Sequence, residues 1–279
     1  MAQSTEQEQQ LIHAVVQTVR GFAFDMDGVL YRGNLPMPFA KEVLGYLEQH
    51  KFPYVLVTNN STRTPQQYAE KLAGMGIRVP PARILTSSLV TRAWLEQTYP
   101  RGTTIFVVGM DALAEALFHD GYFTPATTDA AVVVSGADFA LTYEKLKIAT
   151  LAIRRGAAYV ATNPDRTFPS EEGLIPGAGA IIAAIQAATD VQPIVIGKPE
   201  PAMLLQAARM IGCSPDAMLM VGDRLDTDVL AGKRCGMRTA LVLTGVTTAE
   251  EVAASQLIPD LILPDLGFLL RALQADQDG

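Results

Sequence analysis

The 279-residue sequence contains few cysteines and histidines, the residues that form disulfides in secreted proteins and bind zinc. Its two cysteines, Cys213 and Cys235, are far apart and form no CxxC pair. The three histidines are scattered and match no zinc-binding spacing. So low a cysteine content favours free thiols in a reducing cytoplasm over a framework of disulfides.

The sequence also has no excess of positive charge and no long apolar segment. Lysine and arginine total 22 against 29 acidic residues, so the net charge is −7. A broad nucleic-acid-binding face needs a basic surface, and we therefore expect no nucleic-acid partner. The longest apolar stretch, 178–188, is shorter than the roughly 20 residues that span a bilayer. The polar, acidic first ten residues do not resemble a signal peptide, so we expect a cytoplasmic protein without a membrane partner.

Short apolar segments alternate with helical patterns along the chain. Each segment ends in a polar residue or glycine, which is typical of fully buried parallel strands. Capping boxes are predicted at Thr64–Gln67 and at Thr247–Glu250, and a helical repeat runs from Leu204 to Ile211. This alternation predicts an α/β fold with a parallel sheet. The predicted strands are 21–25, 54–58, 104–109, 131–136, 158–163, 193–197, 217–223 and 239–245.

Polar side chains follow four of the predicted strands: Asp25, Thr58, Lys198 and Asp223. In open α/β sheets, ligands bind outside the carboxyl ends of the strands, so we expect these four residues to converge. Part of the long stretch between Thr58 and Lys198 has its own strand–helix rhythm. It predicts a second domain at 87–189, inserted into a first domain formed by 1–86 and 190–279.

The segment FDMDGV places two carboxylates, Asp25 and Asp27, directly after an apolar strand. Gly28 follows and allows a sharp turn of the backbone. Carboxylates this close usually share a cation or a proton, and Mg²⁺ prefers oxygen ligands. A calcium loop is excluded because its twelfth position would be Pro36 instead of glutamate. A solvated turn is the remaining alternative for this motif taken alone.

The other strand ends carry complementary chemistry. The hydroxyl of Thr58 and the amides that follow it can hold a phosphate without adding charge. Lys198 can neutralise a phosphoryl group, and Asp223 is a natural further metal ligand. Taken singly, Thr58 and Lys198 also fit ordinary loop residues. Asp226 and Asp228 fit helix caps equally well.

Taken together and in order, DxDGVL, the strand-end threonine, GKP and GDxxxTD resemble the signature of the haloacid dehalogenase (HAD) superfamily. The segments VTNNSTRT, ATNPDRTFP, GKPEP, GDRLDTDVLAG and LVLTGV narrow the resemblance to subfamily IIA. That subfamily contains the NagD-like and 4-nitrophenylphosphatase-like phosphatases. The resemblance implies a Rossmann-like parallel-sheet HAD core with a large inserted α/β cap domain.

The resemblance also implies a Mg²⁺-dependent phosphatase that forms an aspartyl-phosphate intermediate. Asp25 would be the nucleophile and Asp27 the general acid and base. The metal would be held by the carboxylates of Asp25 and Asp223 and by the backbone carbonyl of Asp27. Asp228 would support the site or cap a helix.

The phosphate-binding residues implied by the resemblance are Thr58, Asn59, Asn60 and Lys198. The substrate would be a small phosphorylated metabolite under the cap. The segment 163–166, Asn-Pro-Asp-Arg, is predicted either to contact it or to form a structural turn. Relatives of this kind often dimerise through the cap, which implies a homodimer. Two alternatives are a phosphotransferase or mutase on the same core and a non-catalytic binding module.

Overall fold

The computed structural model describes residues 2–170 and 172–275. It divides into two compact units. The core unit comprises Met1–Val57, Ala69–Ile84 and Leu204–Gly279, and the inserted unit comprises Thr58–Tyr68 and Leu85–Met203. The inserted unit takes in the segment after the second predicted strand and extends beyond residue 189. The domain limits predicted at 87–189 stay a prediction.

Eleven α-helices lie within the described residues, and none of them combines the length and apolarity that crossing a membrane requires. A single π-helical turn, Leu225–Val229, precedes α9. The helices are α1 Ala2–Gln17, α2 Ala40–Gln49, α3 Pro65–Gly74, α4 Ser87–Thr98, α5 Asp111–Phe118, α6 Tyr143–Arg154, α7 Ala178–Thr189, α8 Ala202–Ile211, α9 Leu230–Cys235, α10 Ala249–Ala254 and α11 Leu266–Ala275.

The strands of the described residues form two larger sheets and two short antiparallel hairpins, β2–β3 and β10–β11. In chain order they are β1 Gly21–Phe24, β2 Tyr31–Arg32, β3 Leu35–Pro36, β4 Tyr54–Thr58, β5 Ile84–Thr86, β6 Thr104–Val108, β7 Thr124–Pro125, β8 Val132–Ser135, β9 Ala158–Ala161, β10 Thr167–Ser170, β11 Gly173–Pro176, β12 Ile194–Val195, β13 Met218–Gly222, β14 Arg238–Val242 and β15 Leu261–Leu263.

The larger sheet has the order β15-β14-β13-β1-β4-β5. Strand β1 is central and runs parallel to both β13 and β4. Its last residue, Phe24, lies beside Val221 of β13 and Leu56 of β4. All three strands are completely buried, as their apolar sequences require. This register brings the polar residues that follow β1 and β13 to the same edge of the sheet.

The inserted unit contains a second parallel sheet, of order β12-β9-β8-β6-β7. Helices α6 and α7 pack on it and cover an apolar cluster. Burying each large apolar side chain contributes about 1.5–3 kcal/mol, so this cluster is a core in its own right. Its buried members are Val108, Ala130, Val133, Ala149, Ala152, Ile153, Tyr159, Ile181 and Ile185.

The structure confirms the α/β fold and contains a strand that overlaps each of the eight predicted segments. The capping box at Thr64 is also confirmed, with Gln67 N donating to Thr64 Oγ1 at 3.2 Å. The second predicted box is wrong by one residue, because helix α10 is capped by Thr248 and Glu251. The hydroxyl of Thr247 instead accepts a hydrogen bond from Leu225 N.

Candidate active site

Three carboxylates lie together in the core unit, and we call them the carboxylate site: Asp25, Asp223 and Asp228. One carboxylate oxygen from each lies within 4.8 Å of those of the other two. Asp223 and Asp228 are buried, whereas Asp25 is half-buried. Asp25 and Asp223 directly follow neighbouring parallel strands, which explains their proximity.

The first acidic motif is held by the backbone on both sides of its turn. Asp25 N donates to Val221 O at 2.8 Å and continues the ladder between β1 and β13. Gly28 then adopts a positive φ of 83°, which favours glycine. A Cβ at Gly28 would lie 2.4 Å from Asp223 Oδ2, so glycine is also needed for this close approach.

Asp223 is held by the loop that follows β14. Val246 N donates to Asp223 Oδ2 at 2.7 Å, and Thr247 N donates to Asp223 O at 3.1 Å. A Cβ at Gly245 would lie 2.0 Å from Asp223 Oδ2. The residues of this loop were not predicted to belong to the site. The segment LVLTGV contributed only to the family resemblance.

Asp228 combines two roles that the sequence left open. Its Oδ2 accepts hydrogen bonds from Asp223 N and Arg224 N, both at 3.1 Å, so it caps the turn after β13. It also belongs to the carboxylate site. Asp226, in contrast, is exposed and pairs with Arg224 at 3.1 Å.

The chemistry of the carboxylate site fits a divalent cation. Three carboxylates within a few ångströms repel one another, and burial strengthens the repulsion because little water screens it. A hard cation with oxygen ligands removes that cost. Gly28 and Gly245 bring backbone so close to Asp223 that a side chain at either position would collide with its carboxylate.

The side chain of Asp27 is not a member of the carboxylate site. Burial raises the pKa of Asp27, and the nearby charges of Lys71 and Arg32 oppose this rise. A raised pKa favours the protonated form that a general acid needs. Lys71 Nζ lies 3.9 Å from the centroid of the Tyr31 ring, and Arg32 donates to Thr244 O at 2.8 Å. Sequence reasoning missed both cations, because no local motif surrounds them.

The four predicted phosphate-binding residues lie in the inserted unit, and we call them the lysine site: Thr58, Asn59, Asn60 and Lys198. Lys198 is 1% exposed, and Thr58 and Asn59 are also buried. Asn59 Nδ2 donates to Lys198 O at 2.8 Å. Ser87 Oγ donates to Asn59 O at 2.6 Å, so the loop after β4 is tied to the start of α4.

Asn60 organises its own loop. Its backbone N–H donates to Thr58 Oγ1 at 3.2 Å, and its Oδ1 accepts from Thr62 N at 2.8 Å and from Thr62 Oγ1 at 2.7 Å. Much of the polar capacity of Asn60 is therefore used within the loop. Its contact with phosphate stays a prediction.

The Asn-Pro-Asp-Arg segment forms a hydrogen-bonded turn after β9. Asn163 Nδ2 donates to Asp165 Oδ2 at 2.8 Å, and Asn59 Nδ2 lies 3.4 Å from Asp165 Oδ1. Arg166 is exposed, and its carbonyl accepts from Gly177 N at 2.9 Å. The turn therefore reaches the lysine site through Asn59, a link that the sequence did not predict.

Comparison with known proteins identifies the family of this chain. A model of haloacid dehalogenase-like hydrolases matches residues 22–123, and a HAD-hydrolase-like model matches residues 195–269. Acid sugar phosphatase from Staphylococcus aureus (strain USA300) is 38% identical over 255 residues, which cover 91% of this chain and 98% of that protein.

Solved structures are similar over nearly the whole chain. That of 4-nitrophenylphosphatase from Thermotoga maritima has a TM-score of 0.88 and 37% identity, covering 93% of this chain and 99% of that one. Glycerol phosphate phosphatase from Mycobacterium tuberculosis, in complex with calcium, has a TM-score of 0.84 and 32% identity, covering 93% and 76%. The chain therefore belongs to the haloacid dehalogenase-like hydrolases, in the NagD-like and 4-nitrophenylphosphatase-like subfamily IIA, as a phosphoric monoester hydrolase.

Proposed function

We propose that this phosphatase hydrolyses small phosphomonoesters with Mg²⁺ through an aspartyl-phosphate intermediate on Asp25. The observation that carries the proposal is the carboxylate site, in which Asp25, Asp223 and Asp228 offer oxygens within 4.8 Å of one another. Similar proteins bear the names acid sugar phosphatase and glycerol phosphate phosphatase. We therefore expect phosphorylated sugars or polyols among the best substrates.

Asp25 is the natural nucleophile of the three carboxylates. Asp223 and Asp228 are buried, and each uses its Oδ2 to accept backbone N–H groups. Asp25 is more exposed, so a substrate can reach it. Its carboxylate would attack phosphorus, and water would then hydrolyse the aspartyl-phosphate.

Asp27 would transfer the protons. Burial raises its pKa, which keeps a proton available for the oxygen of the leaving alcohol. Once it has donated that proton, the carboxylate can accept one from the water that attacks the intermediate.

The lysine site would bind the phosphoryl oxygens. Lys198 supplies a positive charge and Thr58 a hydroxyl, while Asn59 would contribute its backbone N–H, since its side chain donates to Lys198 O. Asp25, Asp223 and Asp228 would hold Mg²⁺, with the Asp27 carbonyl as a further ligand. When bound, Mg²⁺ would offset the negative charge that these carboxylates and the phosphate bring together.

Three further expectations complete the proposal. The inserted unit would act as a cap that limits the substrates to small molecules, and a homodimer would form through it. We also expect the protein to work in the cytoplasm. Size-exclusion chromatography of the full chain and of its Tyr143→Ala variant tests the dimer, because Tyr143 is an exposed aromatic residue of the inserted unit.

The experiment that tests the reaction is acid-quench mapping during turnover. The enzyme is mixed with Mg²⁺ and 4-nitrophenyl phosphate, quenched in acid and digested, and the phosphorylated peptide is sequenced. We expect phosphate on Asp25, with free phosphate as the product in water. Phosphate on another residue would contradict the assignment of Asp25 as the nucleophile. Preferential transfer to an added sugar would instead support the phosphotransferase alternative.

A further inference from the structure

The backbone of Lys198 is held by the side chain of Asn59. Asn59 Nδ2 donates to Lys198 O at 2.8 Å, and both residues are more than nine-tenths buried. The loop before Lys198 packs closely on the same amide. A Cβ at Gly197 would lie 2.6 Å from Asn59 Oδ1 and 2.5 Å from Thr162 O. The position of Lys198 therefore depends on how the Asn59 amide is placed.

Only one orientation of that amide suits the loop. With Nδ2 towards Lys198 O, a donor meets an acceptor. In the reverse orientation, Asn59 Oδ1 would face the carbonyl, and two acceptors would repel. On the other side of the amide, Asn59 Oδ1 is buried and accepts no hydrogen bond, so that side does not hold the amide in place.

Asp165 strengthens the preference for the orientation in which Asn59 Nδ2 faces Lys198 O. Its Oδ1 lies 3.4 Å from Asn59 Nδ2, and its Oδ2 accepts from Asn163 Nδ2 at 2.8 Å. An ionised carboxylate only accepts hydrogen bonds, so it favours the orientation in which Nδ2 faces it. The Asn163 bond in turn holds the carboxylate, and Thr162 Oγ1 donates to Asn163 Oδ1 at 2.7 Å.

We propose that Asp165 is a positioning residue that acts through Asn59 to place Lys198 for phosphoryl transfer. The proposal rests on the proposed role of Lys198. A displacement of about 1 Å in a charged group can cost a reaction on the order of 10²-fold in rate, so holding the loop matters for catalysis.

Asp165 also makes backbone contacts that hold the turn and that are independent of its carboxylate. Gly179 N donates to Asp165 O at 2.8 Å, and Gly177 packs against the same carbonyl. These contacts do not involve the carboxylate. The substitution Asp165→Asn preserves them, removes the negative charge and replaces one acceptor oxygen with a donor NH₂ group. An asparagine can therefore accept only one of the two hydrogen bonds from Asn59 and Asn163.

The first experiment compares Asp165→Asn with a matched control, Asp138→Asn. Like the part-buried Asp165, the buried Asp138 is a carboxylate that follows a strand of the second sheet, but it pairs with Lys145 at 2.6 Å. We expect Asp165→Asn to lower kcat about tenfold or more with a much smaller change in KM, and Asp138→Asn to leave kcat within about twofold. Wild-type kcat in Asp165→Asn, or an equal loss in both variants, would overturn the proposal.

The second experiment asks whether Asp165 acts through Asn59. In an Asn59→Ala background the mediating amide is absent, so Asp165→Asn should cause no further loss of kcat. An equal loss in both backgrounds would overturn the proposal.

If thermal melting shows that Asp165→Asn does not fold, Asp165→Ser takes its place in both experiments, with the same expected and contrary results. Wild-type kcat in Lys198→Met would instead refute the proposed role of Lys198.

Discussion

The carboxylate site and the lysine site differ in the charge that each has gathered. In the core unit, three acids lie within 4.8 Å of one another. In the inserted unit, Lys198 is buried, and its backbone carbonyl accepts a hydrogen bond from the side chain of Asn59. The difference is the one that the proposed function requires, with a divalent cation at the first region and a phosphoryl group at the second.

The two regions nevertheless use glycine in the same way. Gly245 allows backbone to approach the carboxylate of Asp223, and Gly197 allows backbone to approach the amide of Asn59. Neither of these glycines has a positive φ, so the requirement at both is for space. Matched substitutions in the two regions therefore separate the proposed metal binding from the proposed phosphate binding.

The largest effect is expected for Asp25→Asn, which removes the proposed nucleophile from the carboxylate site. Turnover should fall by at least about 10³-fold, because an amide cannot form the covalent intermediate. Phosphate release with Mg²⁺ present measures it. Asp226→Asn is the control, since Asp226 is an exposed acid of the loop after β13, and it should keep near wild-type turnover. Substantial turnover by Asp25→Asn would remove Asp25 from the mechanism.

A smaller effect that directly tests the comparison is expected for Gly245→Ala and Gly197→Ala. Each added Cβ would come within 2.5 Å of its neighbours, so kcat should fall about 10–100-fold in both variants. The Mg²⁺ concentration for half-maximal activity should rise only in Gly245→Ala. Titration of activity with Mg²⁺ measures this difference. The same Mg²⁺ dependence in both variants would mean that the two regions do not have separate ligands.

The third prediction concerns stability. Mg²⁺ should raise the thermal midpoint, since a ligand at a hundred times its Kd stabilises the folded state by about 2.7 kcal/mol. Asp223→Asn should abolish this shift, whereas Lys198→Met should retain it. Differential scanning fluorimetry with Mg²⁺ or with a chelator makes the comparison. A full shift in Asp223→Asn would show that Mg²⁺ binds elsewhere.

The smallest effect is expected for Gly45→Ala, which lies in neither region. Gly45 is inside helix α2, and an added Cβ would meet no atom within 4 Å. Alanine should raise the free energy of unfolding by about 0.5–1 kcal/mol, because it lowers the conformational entropy of the unfolded chain. Urea denaturation measures the gain, and kcat should not change. A loss of stability would indicate a contact at this position.

Local sequence patterns were sufficient to predict those elements whose structure depends on a single segment of the chain. Strands β1, β4 and β13 were predicted because buried parallel strands need unbroken apolar runs. The capping box at Thr64 was predicted because its partner lies three residues away. At Thr247 the same pattern was misplaced by one residue, since two adjacent threonines each precede a glutamate by three residues. Only the packed structure determines which hydroxyl caps the helix.

The sequence by itself determined the parallel α/β fold, the strand ends that carry Asp25, Thr58 and Asp223, and the family. These features depend on apolar periodicity and on short motifs, which are local. Only the tertiary structure decided three others. Asp228 joins the carboxylate site while capping the turn, Lys71 and Arg32 act on the pKa of Asp27, and Asp165 reaches Lys198 through Asn59. The reason is physical. Each of these three features depends on contacts that form only when the chain folds, and the spacing of residues within one segment does not predict such contacts.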